Sequence, residues 1–252
     1  MVSTVVRLAA FSLLMAMLLL MLGSVREDAL TYDEPAHIAA GYAYLRFQDA
    51  RLNPEHPPLL KMLAAAPLLM LKPHFPLTSP AWQDAVNGQW ETADLLLYKA
   101  GNDPHRITAL ARLVPMVFTV CLGAVLFVWT RRFAGALAAV LALFAYTCSP
   151  TLLAHGRLVT TDVAAAAGVT LAGFAFIRFL HRPTSRVALI AGLALGAALL
   201  CKFSTILLVP LFAVLVLLWT VLTPVRRSRY LSGAVIITLS AAFLLLLPAG
   251  SV

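Results

Sequence analysis

Charge is scarce in this sequence. Only 12% of the 252 residues are Asp, Glu, Lys or Arg, and 61% are hydrophobic. A soluble globular domain is nearer to about half apolar and about a quarter charged. A soluble enzyme, a disordered chain and a secreted disulfide module are therefore excluded. Acids are rarest toward the end: ten of the eleven precede residue 107, and Asp162 is the only one in the final 149 residues. The three cysteines, Cys121, Cys148 and Cys201, are odd in number and lack metal-ligand spacing. They read as small buried hydrophobes. No P-loop, GxGxxG or HExxH motif is present, so nothing points to a bound nucleotide or a zincin-type centre.

What the sequence does have is long apolar runs. Seven segments read as spans: Val5–Val25, Leu110–Thr130, Phe133–Leu153, Val163–Leu180, Val187–Cys201, Phe203–Leu222 and Tyr230–Leu247. The first carries only Arg7 ahead of a long apolar region, with no A-x-A site after it. It reads as a retained signal anchor rather than a cleaved signal peptide. The fifth and sixth segments are interrupted by Lys202 and are either one tilted helix or a hairpin with a tiny turn. Loop charge favours the hairpin, because it leaves nine basic residues and no acid on one side, and ten basic residues with all eleven acids on the other. The expected N-terminus is cytoplasmic, and the acids face a periplasm, lumen or exterior. The net charge of +8 divides into about +9 inside and −1 outside, so it reports orientation rather than a nucleic-acid partner.

The long outer loop, residues 26–107, is too long for an idle connector. Pro35–Phe47 places Ile38, Ala39, Tyr42 and Leu45 on one helical face. Pro58–Leu71 is apolar but short and contains Pro67, which suits an interfacial or re-entrant helix. Further helices are expected from Ser79-Pro80 and from Asp103-Pro104, the latter running into the second span. The expected picture is a set of short helices lying on the outer membrane surface.

Four polar constellations fall on that side. In Thr31-Tyr-Asp-Glu-Pro-Ala-His37, two adjacent carboxylates follow a span, and His37 shares a helix face with Asp33. A carboxylate near the low-dielectric interface can act as a general base on a hydroxyl. The plainer reading is a helix cap with a solvated neighbour. In Arg51-Leu-Asn-Pro-Glu55-His56-Pro57-Pro58-Leu59, prolines hold Glu55 and His56 in one orientation at the membrane edge. In His155-Gly-Arg157-Leu-Val-Thr-Thr-Asp162, the lone carboxylate either caps the next helix or is a functional group with Arg157 beside it. Lys202 is either a snorkelling lysine or a phosphate contact. Carboxylates, histidines and cations gathered at one interface suit a reaction between a lipid phosphate held by cations and a hydroxyl deprotonated by a carboxylate.

At these residues the sequence resembles the membrane-embedded GT-C glycosyltransferases. The likeness is to the phospholipid-carrier-dependent type that includes protein O-mannosyltransferases and lipid A aminoarabinose transferases. Asp33-Glu34 after the first span, Glu55-His56-Pro57-Pro58-Leu59 before a juxtamembrane helix, and Asp162 after the third span carry the resemblance. It extends from about Val5 to Leu222. It implies an all-α polytopic fold and sugar transfer from a polyprenyl-phosphate carrier to an acceptor hydroxyl by inverting displacement. Asp33 would be the base with Glu34 beside it. His37, Glu55, His56, Arg157, Asp162 and Lys202 would contact the substrate or its phosphate. Relatives often carry Lys at the position of His56, and Lys202 could supply that cation. No nucleotide is needed, and the resemblance names no definite cofactor; a divalent metal as helper stays open. The implied partners are the lipid-linked sugar, an acceptor protein, lipid or glycan, and membrane lipid, with no nucleic acid. The implied location is a bacterial inner membrane. Relatives have more spans and often a C-terminal soluble domain, so residues 1–252 read as the front part of one membrane-embedded transferase domain. A transporter would place its charges near the midplane. An intramembrane metallohydrolase would have to draw its ligands Asp33, His37, Glu55 and His56 from a loop.

Overall fold

A computed structural model describes residues 4–25, 28–84 and 87–246. Arg26, the expected start of the outer loop, and Leu247, the expected end of the last span, lie outside them, as do residues 248–252. Every regular element among the described residues is helical. The chain forms two compact units, Met1–Asn53 with Lys61–Val163, and Pro54–Leu60 with Ala164–Val252.

The first unit is built on α1 (Thr4–Val25) and α7 (Pro104–Thr147), between which lie α2 (Asp33–Phe47), α3 (Leu59–Ala65), α4 (Leu68–Leu71), α5 (Pro80–Gln83) and α6 (Gln89–Asp94). The helix at Leu59–Leu71 breaks at Ala66-Pro67, where proline cannot donate to the helical ladder. Ser79 caps α5, and Asp103 caps α7 by accepting from the His105 and Arg106 amides, as the Ser-Pro and Asp-Pro pairs predict. A π-helical turn, Leu95–Lys99, follows α6.

Helix α7 contains two predicted spans. At Gly135 the backbone has φ 85°, a left-handed conformation that glycine adopts without a Cβ penalty. There the chain doubles back. Phe127 shares a core with Ala139 and Leu143, and the Tyr146 hydroxyl donates to the Thr119 carbonyl at 2.8 Å. The span predicted to run unbroken from Phe133 to Leu153 instead ends at Thr147. Ser149 and Pro150 then open a short helix, α8 (Pro150–His155), because a serine cap followed by proline starts a helix rather than continuing one.

The second unit contains the body of α9 (Thr161–His181), with α10 (Ser185–Leu199), α11 (Leu208–Leu222) and α12 (Arg227–Leu246). Phe176 and Phe212 stack at 3.8 Å, and the buried Tyr230 hydroxyl donates to the Leu180 carbonyl at 3.0 Å. The chain breaks at Leu200–Lys202, which supports separate helices over one long tilted one. Lys202 is extended there (φ −157°, ψ 136°), and a 3₁₀ turn, Phe203–Leu207, leads into α11.

Among the described residues, five helices are long and apolar enough to cross a membrane: Thr4–Val25, Pro104–Thr147, Thr161–His181, Phe203–Leu222 and Pro224–Leu246. The predicted fifth span, Val187–Cys201, forms the shorter apolar helix Ser185–Leu199, whose 15 residues reach roughly 22 Å at 1.5 Å per residue against a hydrocarbon core of about 30 Å. Two expectations change. Cys121 and Cys148 are exposed and only Cys201 is buried, because the first two lie on outward faces. Helix α2 is no surface helix with one apolar side: Ala36 through Tyr44 are all buried. Its small residues let neighbours close in all round. Ile38 and Tyr42 join Ala64, Leu97 and Val159; Ala40 and Ala43 join Leu52; Ala39 joins Ala93 and Leu96.

Close packing in the second unit depends on Gly192 and Gly196, a small-xxx-small pair facing α12. A Cβ at Gly192 would overlap the Ser240 hydroxyl and the Ile237 backbone, and one at Gly196 would meet Ala241 at 3.0 Å. Gly192→Leu is expected to lower thermal stability in detergent by about 1–3 kcal/mol or more. Gly173→Ala, where nothing lies within 4 Å, should leave the midpoint almost unchanged.

Candidate active site

The adjacent carboxylates Asp33 and Glu34 open α2, and the fold gives them opposite surroundings. Glu34 is fully buried and faces Arg112 of α7, which is also fully buried. The guanidinium binds the carboxylate in a fork: Nε donates to Oε1 at 2.8 Å and Nη2 to Oε2 at 2.6 Å. Its remaining donors go to the carbonyls of Asp28, at 3.1 Å, and Ala29, at 2.9 Å. Glu34 also accepts from the Thr31 amide, the Thr31 hydroxyl and the Val159 amide. Burial alone would push this carboxyl upward. The Arg112 guanidinium and the Thr31 and Val159 amides more than offset that and hold it below its ordinary value. With five hydrogen bonds directed at two oxygens, Glu34 has no lone pair left for a substrate proton.

His37, one turn further along α2, completes the arrangement. Its buried Nδ1–H donates to the Val159 carbonyl at 2.8 Å. Both backbone groups of Val159 are thus held by α2. This fixes the connection from α8 into α9 and, three residues on, Asp162 in the first turn of α9. Asp28 reinforces the same region. It accepts from the Ser24 hydroxyl at 2.8 Å and pairs with Arg157. The Ser24 hydroxyl and then Arg157 hold its carboxyl below the usual carboxylate range.

Asp33 and Asp162 are both exposed, each at the first turn of its helix. No hydrogen bond or ion pair engages the Asp33 carboxylate among the described residues. Beside it, Tyr32 stacks on Trp90 at 4.3 Å, and both rings remain exposed. Asp33, Glu34, His37, Arg157 and Asp162 all belong to the first unit.

Glu55, His56 and Lys202 belong to the second unit. The Leu59 amide, at the end of the Glu55-His56-Pro-Pro turn, donates to the Leu200 carbonyl at 3.1 Å. That bond ties the turn to the connection that carries Lys202. Among the described residues, no group of three or more His, Cys, Asp or Glu converges to hold a metal ion.

Two buried cations escaped the sequence reading. Arg112 is one. The other is Lys61, fully buried in α3, which donates to the Tyr44 hydroxyl, the Asn53 carbonyl and Asn53 Oδ1 at 3.1, 2.9 and 2.7 Å. Burial pushes the Tyr44 hydroxyl up to about 12. The available signal was a cation inside an apolar run, which demands a partner. Arg112 interrupts Leu110–Thr130, and Lys61 interrupts Pro58–Leu71.

Removing one partner of a buried ion pair costs about 3–5 kcal/mol, so Arg112→Met is expected to destabilise the protein by that order in a thermal melt. Glu34→Gln carries a pH signature. The folded carboxyl lies below its unfolded value, so its contribution is complete above the ordinary carboxyl range and is lost as pH falls through the depressed value. The gap between wild-type and Glu34→Gln melting temperatures should therefore shrink on acidification. A gap constant with pH would show that the charge of Glu34 contributes nothing.

The dolichyl-phosphate-mannose-protein mannosyltransferase family matches residues 107–249. No match was found among curated proteins or among solved structures. The matched region contains Arg112, Arg157, Asp162 and Lys202; Asp33, Glu34, His37, Glu55 and His56 precede it. With its helical, multiply spanning architecture and a family match over more than half its length, the chain belongs to the dolichyl-phosphate-mannose-protein mannosyltransferase family of GT-C membrane glycosyltransferases.

Proposed function

We propose that the protein transfers a sugar from a polyprenyl-phosphate carrier to an acceptor hydroxyl, with Asp33 as the base. The acceptor oxygen attacks the anomeric carbon, the bond from that carbon to the phosphate oxygen breaks, and the carrier leaves as its phosphate. Asp33 takes the proton released by the acceptor. The observation that carries this reading is the contrast within the carboxylate pair. Glu34 is saturated by Arg112 and backbone donors, while Asp33, its neighbour on the same helical turn, is exposed with its oxygens available. Glu34 is then a positioning residue, holding the turn that presents Asp33.

His37 acts in the same way on the Val159 connection, and through it on Arg157 and Asp162, which would face the acceptor side. His56 and Lys202 would serve the donor phosphate, and Glu55 would shape the acceptor or metal side. Relatives often carry Lys where this chain has His56, and Lys202 would supply that cation. A divalent ion, if used, would screen phosphate charge beside these residues. The acceptor is a protein, lipid or glycan hydroxyl. Residues 1–252 lie in a membrane-embedded transferase domain, with the 26–107 loop on the periplasmic or extracellular side of a bacterial inner membrane and the N-terminus in the cytoplasm.

Asp33→Asn is expected to abolish transfer from a labelled polyprenyl-phosphate sugar while leaving the melting temperature within error of wild type. Full transfer by that variant would remove Asp33 from the base role. Orientation has a separate check in a cysteine-free background. Asn87→Cys, at an exposed loop position, should react with an impermeant maleimide on intact cells. Reaction only after lysis would reverse the topology.

A further inference from the structure

The segment joining α4 to α5 reads Lys72-Pro-His-Phe-Pro-Leu77. Its two prolines restrict the backbone, and Lys72 ends α4 in a left-handed conformation, with φ 48°. Asn102 then pins the segment from both sides. Its Oδ1 accepts from the His74 amide and its Nδ2 donates to the His74 carbonyl, each at 2.9 Å, with a further bond to the Leu96 carbonyl at 2.7 Å.

Beside this pinned strap lies a cavity of about 610 Å³. Its lining joins two chemistries. Arg46, Lys72 and His74 are exposed basic side chains, and no carboxylate is present in the lining. Phe47, Phe75 and Leu69 supply apolar wall. Asp49, three residues beyond Arg46, is already occupied by Arg51. The wall is rigid, because Phe47 and Phe75 pack against Trp82 at 5.6 and 5.0 Å. Apolar exposure continues outward from the cavity: Met70 is 88% exposed and Leu77 45%. Water alone does not stabilise such a shoulder. A strap that pairs cations with exposed aliphatic groups fits a ligand that is anionic at one end and hydrocarbon at the other.

We propose that this cavity holds the headgroup phosphate of an anionic membrane phospholipid, with an acyl chain lying along Leu69, Met70 and Leu77. The phosphate diester sits among Arg46, Lys72 and His74, which fix its charge. The site anchors this edge of the first unit to the bilayer independently of sugar transfer.

The probe is brominated phosphatidylglycerol in nanodiscs of phosphatidylcholine, read by quenching of Trp82 in a chain carrying Trp90→Phe, Trp129→Phe and Trp219→Phe. Brominated phosphatidylglycerol should quench at roughly tenfold lower mole fraction than brominated phosphatidylcholine. Combined Arg46→Gln, Lys72→Gln and His74→Gln should erase that preference and leave quenching by the zwitterionic lipid intact, which also reports that the strap remains folded. Equal quenching by the two lipids in the parent, or a preference that survives in the triple variant, would overturn the proposal. Displacement of the brominated lipid by millimolar inorganic phosphate would also overturn it, by showing a small-anion site to which the apolar shoulder adds nothing.

Discussion

The ion pair between Glu34 and Arg112 organises the first unit. Two charges withdrawn from water are costly, and their attraction offsets that only when every remaining donor and acceptor is satisfied. Here they are. The guanidinium uses its fork on the carboxylate and its other donors on the Asp28 and Ala29 carbonyls, and the carboxylate takes the Thr31 and Val159 amides. Three segments distant in sequence thus meet at one point: the stretch from the exit of α1 into α2, α7 and the α8–α9 connection. None of them can shift without leaving a buried charge unpaired.

This arrangement explains why adjacent acids take different roles. A helical step turns successive side chains by about 100°, so when Glu34 points inward to Arg112, Asp33 must point away. The burial of one acid secures the exposure of the other. The same geometry governs His37, one turn on, whose ring reaches the carbonyl of the residue whose amide Glu34 holds. A proline-rich turn ending at the Leu59–Leu200 hydrogen bond does comparable positioning for Glu55, His56 and Lys202 in the second unit.

The small-residue content of α2 has a structural consequence that helical periodicity misses. Alanine and glycine at positions 36, 39, 40, 41 and 43 score as neither strongly apolar nor polar faces, so a single apolar side was the natural reading of Ile38, Tyr42 and Leu45. In the fold these positions let three separate clusters reach the helix backbone. Gly192 and Gly196 work alike on α10, which compensates for its short length by intimate contact with α12.

The sequence alone determined the helical membrane architecture, the positions of the apolar segments, the Ser79 and Asp103 caps, and the candidacy of Asp33, Glu55, His56 and Asp162. These follow from local signals: run length, cap chemistry, and acids set against an apolar background. Tertiary structure decided what Glu34 and His37 do, because their partners, Arg112 and Val159, lie 78 and 122 residues away. It also decided that the turn between the second and third spans falls at Gly135, and how closely α10 packs on α12. The physical reason is the same in each case. Hydropathy records how much a residue avoids water, whereas the role of a buried charge or a glycine depends on which distant group comes within contact distance.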